Sequence, residues 1–335
     1  VTIGSLGGEF ALIDRIAAAT PGGDGLRTGI GDDAAVLRTS AGNDLVVTTD
    51  LLIEDVHFRL SWSDPFSLGV KAAAVNLSDI AAMGARPTAA FLSIALRRDT
   101  KLEFVDELYR GLNDTFGRWG AVIAGGDTNV SPGPFTLNVT LVGGVGAGGA
   151  ILRSTARPGD IIIVTGALGG AAAGLMALEK FGRDRAESDF PDAVAAQLRP
   201  VPRLTESAAI TGVWGATAMM DVSDGLVADL AKLCRAGGVG ARVDRDATPV
   251  HPAAVAVAAA IGINPTDLAL NGGEDYELLV TAAPERAEAL LAALQRTGTP
   301  ATVIGVITTE PGVRLETANG ESVTTGPGWD HFAYE

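Results

Sequence analysis

Apolar positions recur along the chain with two periods. Alternating or continuous apolar runs predict strands at LVVTTD (45–50), AFLSIAL (90–96), AVIAGG (121–126) and FTLNVTLVGGV (135–145). Three- and four-residue spacing predicts helices over 8–20, 65–84 and 102–120, and in the second of these Leu68, Ala72, Val75, Asp79 and Met83 share one face. A Gly- and Asp-rich loop, PGGDGLRTGIGDDAA (21–35), follows the first helix. The Gly-rich stretch 146–160, with its Pro-Gly turn, reads as a seam. Beyond it the pattern predicts strands at 161–164, 216–220, 240–244, 276–282 and 301–307, with helices at 168–180, 193–210, 225–236, 252–260 and 284–298. A short hairpin is expected around VRLETANGESVT. The expected fold class is α+β: two α/β-layered domains, 1–150 and 151–335, each with helices on one sheet face.

Length agrees with that division, since 335 residues exceed one ordinary core and suggest domains of about 150 residues. With 47% hydrophobic residues the chain is not disordered, and its net charge of −15 excludes a binder of nucleic-acid backbones. Lys71, Lys101, Lys180 and Lys232 are its only lysines, so a polybasic patch is not expected. The single cysteine, Cys234, rules out an intramolecular disulfide framework and a Cys-based zinc cluster, and its place in an amphipathic run suggests a core thiol. Two long uncharged stretches, 128–152 and 161–178, fall short of the roughly 20 strongly apolar residues of a membrane span. There is no basic-then-apolar leader, and the expected location is cytoplasmic.

The acidic residues change the picture because of where they fall. Asp32 and Asp33 lie in GIGDDAAVL, Asp50 ends LVVTTD, Asp127 follows VIAGG, and Asp221 ends TAMMD with Asp224 opening the next helix. Asp79 sits in mid-helix on the apolar face, where an unpaired carboxylate costs several kcal/mol or takes up a proton. Asp224 also fits a helix N-cap, and Asp127 a turn. Carboxylates converging on one crevice call for a hard divalent cation, and Mg²⁺ takes carboxylates together with waters and phosphate oxygens. Thr48 and Thr49 add oxygens beside Asp50, whereas His57, His251 and His331 are too scattered for zinc. No Gly-Lys dipeptide, and hence no Walker A loop, occurs. Any phosphate would be handled through metal ions, with Arg153 as a helper.

Taken together, GIGDDAAVL (29–37), TTDLLIEDVHF (48–58), VNLSDIAAMGARP (75–87), GGDTN (125–129), LRSTARPGD (152–160), DVSDGLVADL (221–230), NGGEDYELL (271–279) and GWDHF (328–332) closely resemble the thiamine-monophosphate kinase family over essentially the whole chain. The resemblance implies transfer of phosphate from ATP to thiamine monophosphate, with several Mg²⁺ ions. It implies metal positions at Asp33, Thr48, Thr49, Asp50, Asp79, Asp127, Asp221 and Asp224, with Asp50, Asp127 and Asp224 central to catalysis. ATP contacts fall at Gly126, Asp127, Arg153 and Ser223, and acceptor contacts at His57, Glu274 and Trp329. For His57 a general-acid role stands beside substrate contact, and Trp329 suits either stacking on a thiamine ring or anchoring the C-terminus. The resemblance further implies an ATP cleft between the domains and a homodimer joined through its N-terminal sheets. Rival readings are an ATPase like aminoimidazole ribonucleotide synthetase and a non-catalytic nucleotide sensor on the same scaffold.

Overall fold

Two sheets organise the chain, seen in a computed structural model that describes residues 9–39, 41–317 and 322–323. The first has six strands: β1 (Leu26–Thr28), β2 (Ala35–Arg38), β3 (Asn43–Ile53), β4 (Arg86–Leu96), β5 (Val122–Val130) and β6 (Thr136–Gly146). Their order is β1-β2-β3-β6-β4-β5, with only the β4–β5 pair parallel. Helices α1 (Glu9–Ala19), α2 (Pro65–Ala82) and α3 (Leu102–Arg118) accompany it. Strand β3 alternates strictly: Asp44, Val46, Thr48 and Leu52 are buried, while Leu45, Thr49 and Leu51 face outward. Only one face of this sheet therefore lies on the core, and the other exposes Leu37, Leu45, Leu51 and Phe91.

The second sheet contains β7 (Ile161–Thr165), β8 (Ala216–Asp221), β9 (Gly240–Asp244), β10 (Leu278–Ala282), β11 (Ala301–Thr308), β12 (Gly312–Glu316) and β13 (Ser322–Val323), ordered β13-β12-β9-β11-β7-β10-β8. Around it run α4 (Gly170–Phe181), α5 (Arg183–Asp189), α6 (Pro191–Leu198), α7 (Leu204–Val213), α8 (Leu226–Gly237), α9 (Pro252–Ile261), α10 (Pro265–Asn271) and α11 (Ala287–Gln295). Here the expectation of helices on one face is exceeded. Ile163 of β7 joins a core shared with the first sheet, whereas Ile162 and Val164 join one with Leu226 and Leu230 of α8. The unbroken apolar run IIIV is the sequence mark of a strand buried on both faces. The helix expected over 193–210 is broken between Leu198 and Leu204, because Pro200 and Pro202 cannot continue it. Helix α10, not anticipated, starts at Pro265 behind Asn264, whose side chain accepts the Thr266 N–H at 3.0 Å.

Helix α2 holds the two sheets together. Leu68, Ala72, Leu77, Ile80 and Met83 lie in the shared core with Leu137 and Leu141 of β6, Ile210 of α7 and Met219 of β8. Gly69 and Gly111 let α2 and α3 touch backbone to backbone, since a Cβ on Gly69 would stand 2.2 Å from the Leu108 carbonyl oxygen. Among the described residues no helix is long and apolar enough to cross a membrane.

Candidate active site

Four carboxylates meet where the two sheets face α2. Asp33 comes from the turn ahead of β2, Asp50 from the inward side of β3, Asp79 from α2 and Asp221 from the end of β8. Carboxylate oxygens of Asp33, Asp79 and Asp221 lie within 4.8 Å of one another. Thr48 Oγ1 donates to Asp79 Oδ2, and Ser78 Oγ to Asp221 Oδ2 at 2.5 Å, so α2 is tied to both sheets. Burial, then the charges of Asp50, Asp221 and Asp33, raises the Asp79 carboxyl well above its ordinary range. Burial and Asp33 do the same for Asp221 and lift Asp50 to about 6. Among the described residues one counter-charge stands here, which the sequence reading had not paired with a partner. Arg153 grips Asp33 through Nε at 3.1 Å and Nη2 at 2.5 Å, and its N–H reaches Asp32 Oδ2 at 3.2 Å. Burial and the neighbouring Asp33 raise Asp32 to about 6.

This donor set fits a hard divalent cation. Oxygens around one magnesium, at about 2.0–2.1 Å from it, stand roughly 3–4 Å apart. The three carboxylates need little movement to reach that spacing, and their mutual repulsion is what a cation would relieve.

A second feature is the turn Asp221–Gly225, laid against Asn271–Tyr276. Glu274 N–H donates to the Ser223 carbonyl at 2.7 Å and Tyr276 N–H to that of Val222 at 2.9 Å. Gly225 adopts φ 110°, and a Cβ there would come within 2.8 Å of the Asn271 carbonyl carbon. Asp229, fully buried in α8, fixes the turn by accepting the N–H groups of Ser223, Asp224 and Gly225 at 2.9, 2.9 and 3.1 Å. Lys232 Nζ donates to Asp229 Oδ1 at 2.6 Å and also to Asp224. Asp224 is therefore ion-paired in this chain, and the N-cap it was thought to supply falls instead on Gly225. Neither Asp229 nor Lys232 was singled out from the sequence, although an Asp between Leu226, Leu230 and Leu233 on an apolar helix face carries the same signal as Asp79.

The remaining expected residues are distributed unevenly. His57 and Glu274 are linked by Lys71, whose ammonium lies 2.7 Å from Glu274 Oε1 and 3.4 Å from the His57 carbonyl oxygen. His57 Nδ1 accepts the Ile53 N–H at 3.1 Å, which leaves the proton of a neutral imidazole on Nε2. Thr49 turns away from Thr48 and Asp50 and bonds Thr140 Oγ1 at 3.0 Å on the outer face. Gly126 and Asp127 lie on edge strand β5, in the register row Asp50–Val139–Leu92–Gly126. Three strand spacings of about 4.8 Å put that row's ends roughly 14 Å apart, so Asp127 does not join the cluster within one chain. Beside it a hollow of about 380 Å³ is lined by Leu92, Tyr109 and residues 123–128. Trp329 lies outside the described residues. In the same GGEDYEL motif, Asp275 accepts the Gly169 and Ala171 N–H groups at the start of α4, 2.6 and 3.2 Å, and Glu277 is gripped by Arg203 at 2.7 and 2.6 Å.

The AIR synthase related protein, N-terminal domain, matches residues 31–145, and the AIR synthase related protein, C-terminal domain, matches residues 157–317. Fold and site thus define a two-domain protein of the AIR synthase-related class. Within that class the similarity runs almost end to end. The thiamine-monophosphate kinase of Salmonella typhimurium is 39% identical over 337 residues, covering 97% of this chain and 98% of its own. That of Bacillus subtilis is 33% identical over 327 residues, covering 97% and 99%. A solved structure described as AaThiL complexed with AMPPCP and TMP superposes with a TM-score of 0.85 at 32% identity, covering 99% of each chain. The chain belongs to the thiamine-monophosphate kinase family, a family of phosphotransferases.

Proposed function

We propose that the chain transfers the γ-phosphoryl group of ATP directly to the phosphate of thiamine monophosphate, giving thiamine diphosphate and ADP. The observation that carries this reading is the convergence of Asp33, Asp79 and Asp221 within 4.8 Å beside Arg153. The acceptor is a phosphate monoester with a second pKa near about 6, so at neutral pH it is already a nucleophile and no general base is required. What must be overcome is repulsion between two polyanions. Asp33, Asp50, Asp79 and Asp221, with Thr48 beside them, would hold Mg²⁺, which would supply charge neutralisation for the phosphate oxygens.

The chain's own residues then divide the work. Arg153 offers a planar fork of donors to phosphate once its grip on Asp33 is shared. Ser223 sits on a turn held rigid by Asp229, which orients whatever it contacts. His57 presents a donor nitrogen through Nε2, and Glu274 a fixed acceptor. Tyr109, Leu92 and the Gly-rich edge strand line an open hollow beside Asp127, which we assign to the nucleotide. The uncovered sheet face, with Leu37, Leu45, Leu51 and Phe91 exposed, supports a homodimer closed through these sheets. We place the reaction in the cytoplasm, where ATP is supplied.

The deciding assay measures ADP release with thiamine monophosphate, with thiamine and with neither, each with and without Mg²⁺. Turnover confined to thiamine monophosphate plus Mg²⁺ is expected. ADP release indifferent to the acceptor would refute the reading.

A further inference from the structure

The Glu274 carboxylate is anchored at both oxygens. Lys71 Nζ lies 2.7 Å from Oε1, and Gln197 Nε2 donates to Oε2 at 2.5 Å. These anchors come from different parts of the fold, Lys71 from α2 beneath the first sheet and Gln197 from α6 beside the second. Both are buried, at 3% and 5% exposure, while the Glu274 side chain keeps 28%. Glu274 holds a left-handed backbone, φ 67°, a conformation costly for a residue with a side chain and kept where its surroundings impose it.

Stability alone does not account for this arrangement. A buried ammonium–carboxylate pair adds little that apolar packing would not. Gln197 Oε1 is buried with no hydrogen-bond partner among the described residues. Turning the amide over would set that oxygen against Glu274 Oε2, so the carboxylate dictates the orientation and the orphaned carbonyl is its consequence. The same Lys71 ammonium reaches the His57 carbonyl at 3.4 Å, tying the loop that carries His57 to the loop that carries Glu274.

We propose that Lys71 and Gln197 are positioning residues for the phosphoryl acceptor, holding Glu274 and the His57 loop as one recognition unit away from the acidic cluster. With its charge balanced by Lys71, Glu274 acts as an aimed hydrogen-bond acceptor, selecting a donor-bearing heterocycle by geometry rather than by charge alone. The inference rests on the reading that thiamine monophosphate is the acceptor and meets Glu274.

The test is steady-state kinetics of Lys71→Met, Gln197→Met, Glu274→Gln and Lys71→Met/Glu274→Gln, varying thiamine monophosphate at saturating ATP and the reverse. Unfolding midpoints monitor the fold, and Gln197→Met carries the test if Lys71→Met does not fold. Expected are a roughly 10- to 100-fold rise in KM for thiamine monophosphate in Lys71→Met and a smaller rise in Gln197→Met. KM for ATP should hold and kcat should change less than about threefold. The double variant should be worse than Glu274→Gln by much less than Lys71→Met is worse than wild type, because Lys71 acts mainly through that carboxylate and only in part through the His57 loop. An unchanged acceptor KM in both single Met variants, or losses confined to kcat or to KM for ATP, would overturn the inference while wild-type turnover still stands. Wild-type protein that leaves thiamine monophosphate unphosphorylated would instead overturn the functional reading and this inference with it.

Discussion

Replacing Asp79 by Asn separates what the acidic cluster does for the fold from what it does for chemistry. Asp79 shares a 4.8 Å neighbourhood with Asp33 and Asp221. At that separation two unit charges repel by about 3 kcal/mol at an effective dielectric near 20. Arg153 offsets part of this at Asp33, and shared protons offset more, so a net gain of about 1–3 kcal/mol on neutralising Asp79 is expected in metal-free protein. Asn keeps an oxygen for the Thr48 hydroxyl. The gain has a defined pH direction: the Asp79 carboxyl is raised by burial and its neighbours, so its protonated form favours folding at low pH and that contribution is lost as pH rises through the raised value. The variant's advantage should therefore grow toward pH about 8. Magnesium should close or reverse that gap, since saturation at about a hundredfold over Kd stabilises the wild type by about 2.7 kcal/mol and a variant with a weakened site by much less. Urea unfolding at pH about 8, in chelator and in magnesium, reads both effects. A variant less stable than wild type in chelator, or one gaining as much from magnesium, would refute the reasoning.

Asp229→Ala strands three turn N–H groups and leaves the buried Lys232 ammonium to Asp224, and should cost about 3–5 kcal/mol in urea unfolding; a loss below about 1 kcal/mol would show that the turn does not depend on it. Gly225→Ala forces a Cβ into the Asn271 backbone at φ 110° and should destabilise by at least about 2 kcal/mol while lowering turnover, both checked on purified protein. Asp275, raised to about 7 by burial, favours folding while protonated, below about pH 4, and loses that contribution as pH rises through about 7. Asp275→Asn should thus gain progressively on wild type between pH about 4 and about 7 and hold that gain above it, measured as the difference in urea midpoints. If the proposed homodimer closes through the sheet face exposed among the described residues, Leu51→Lys should shift dimer to monomer by light scattering, leaving the monomer's thermal midpoint nearly unchanged.

Much of the fold was legible because burial writes itself as period. The helix at 65–84 and the strands at 90–96 and 135–145 follow from it, and so does the anomaly of Asp79 on an apolar face. The break between α6 and α7 was legible too, in Pro200 and Pro202, but apolar spacing was allowed to override it. The alternation of β3 likewise puts the Thr49 side chain on the opposite face from Thr48 and Asp50, although the three share the TTD motif. What the sequence could not show was who neutralises whom. Arg153 meets Asp33 across 120 residues and Lys71 meets Glu274 across 203, distances at which spacing carries no information. Asp127 marks the same boundary from the other side, since its motif is plain while its place on an edge strand follows only from sheet order.

Helix α2 carries Lys71, Ser78 and Asp79 and is buried along nearly its whole length between the two sheets. Its partners Asp221 and Glu274 belong to the far half of the chain, so neither half alone contains a complete ionic site. A ribosome releasing the first half would expose the Lys71 ammonium without Glu274 and the Ser78 hydroxyl without Asp221 on an apolar rod until the second half arrived. Activity in this molecule is consequently a late product of synthesis, and a pair of separately expressed halves would regain it only by docking on each other, with that helix at the centre of the seam.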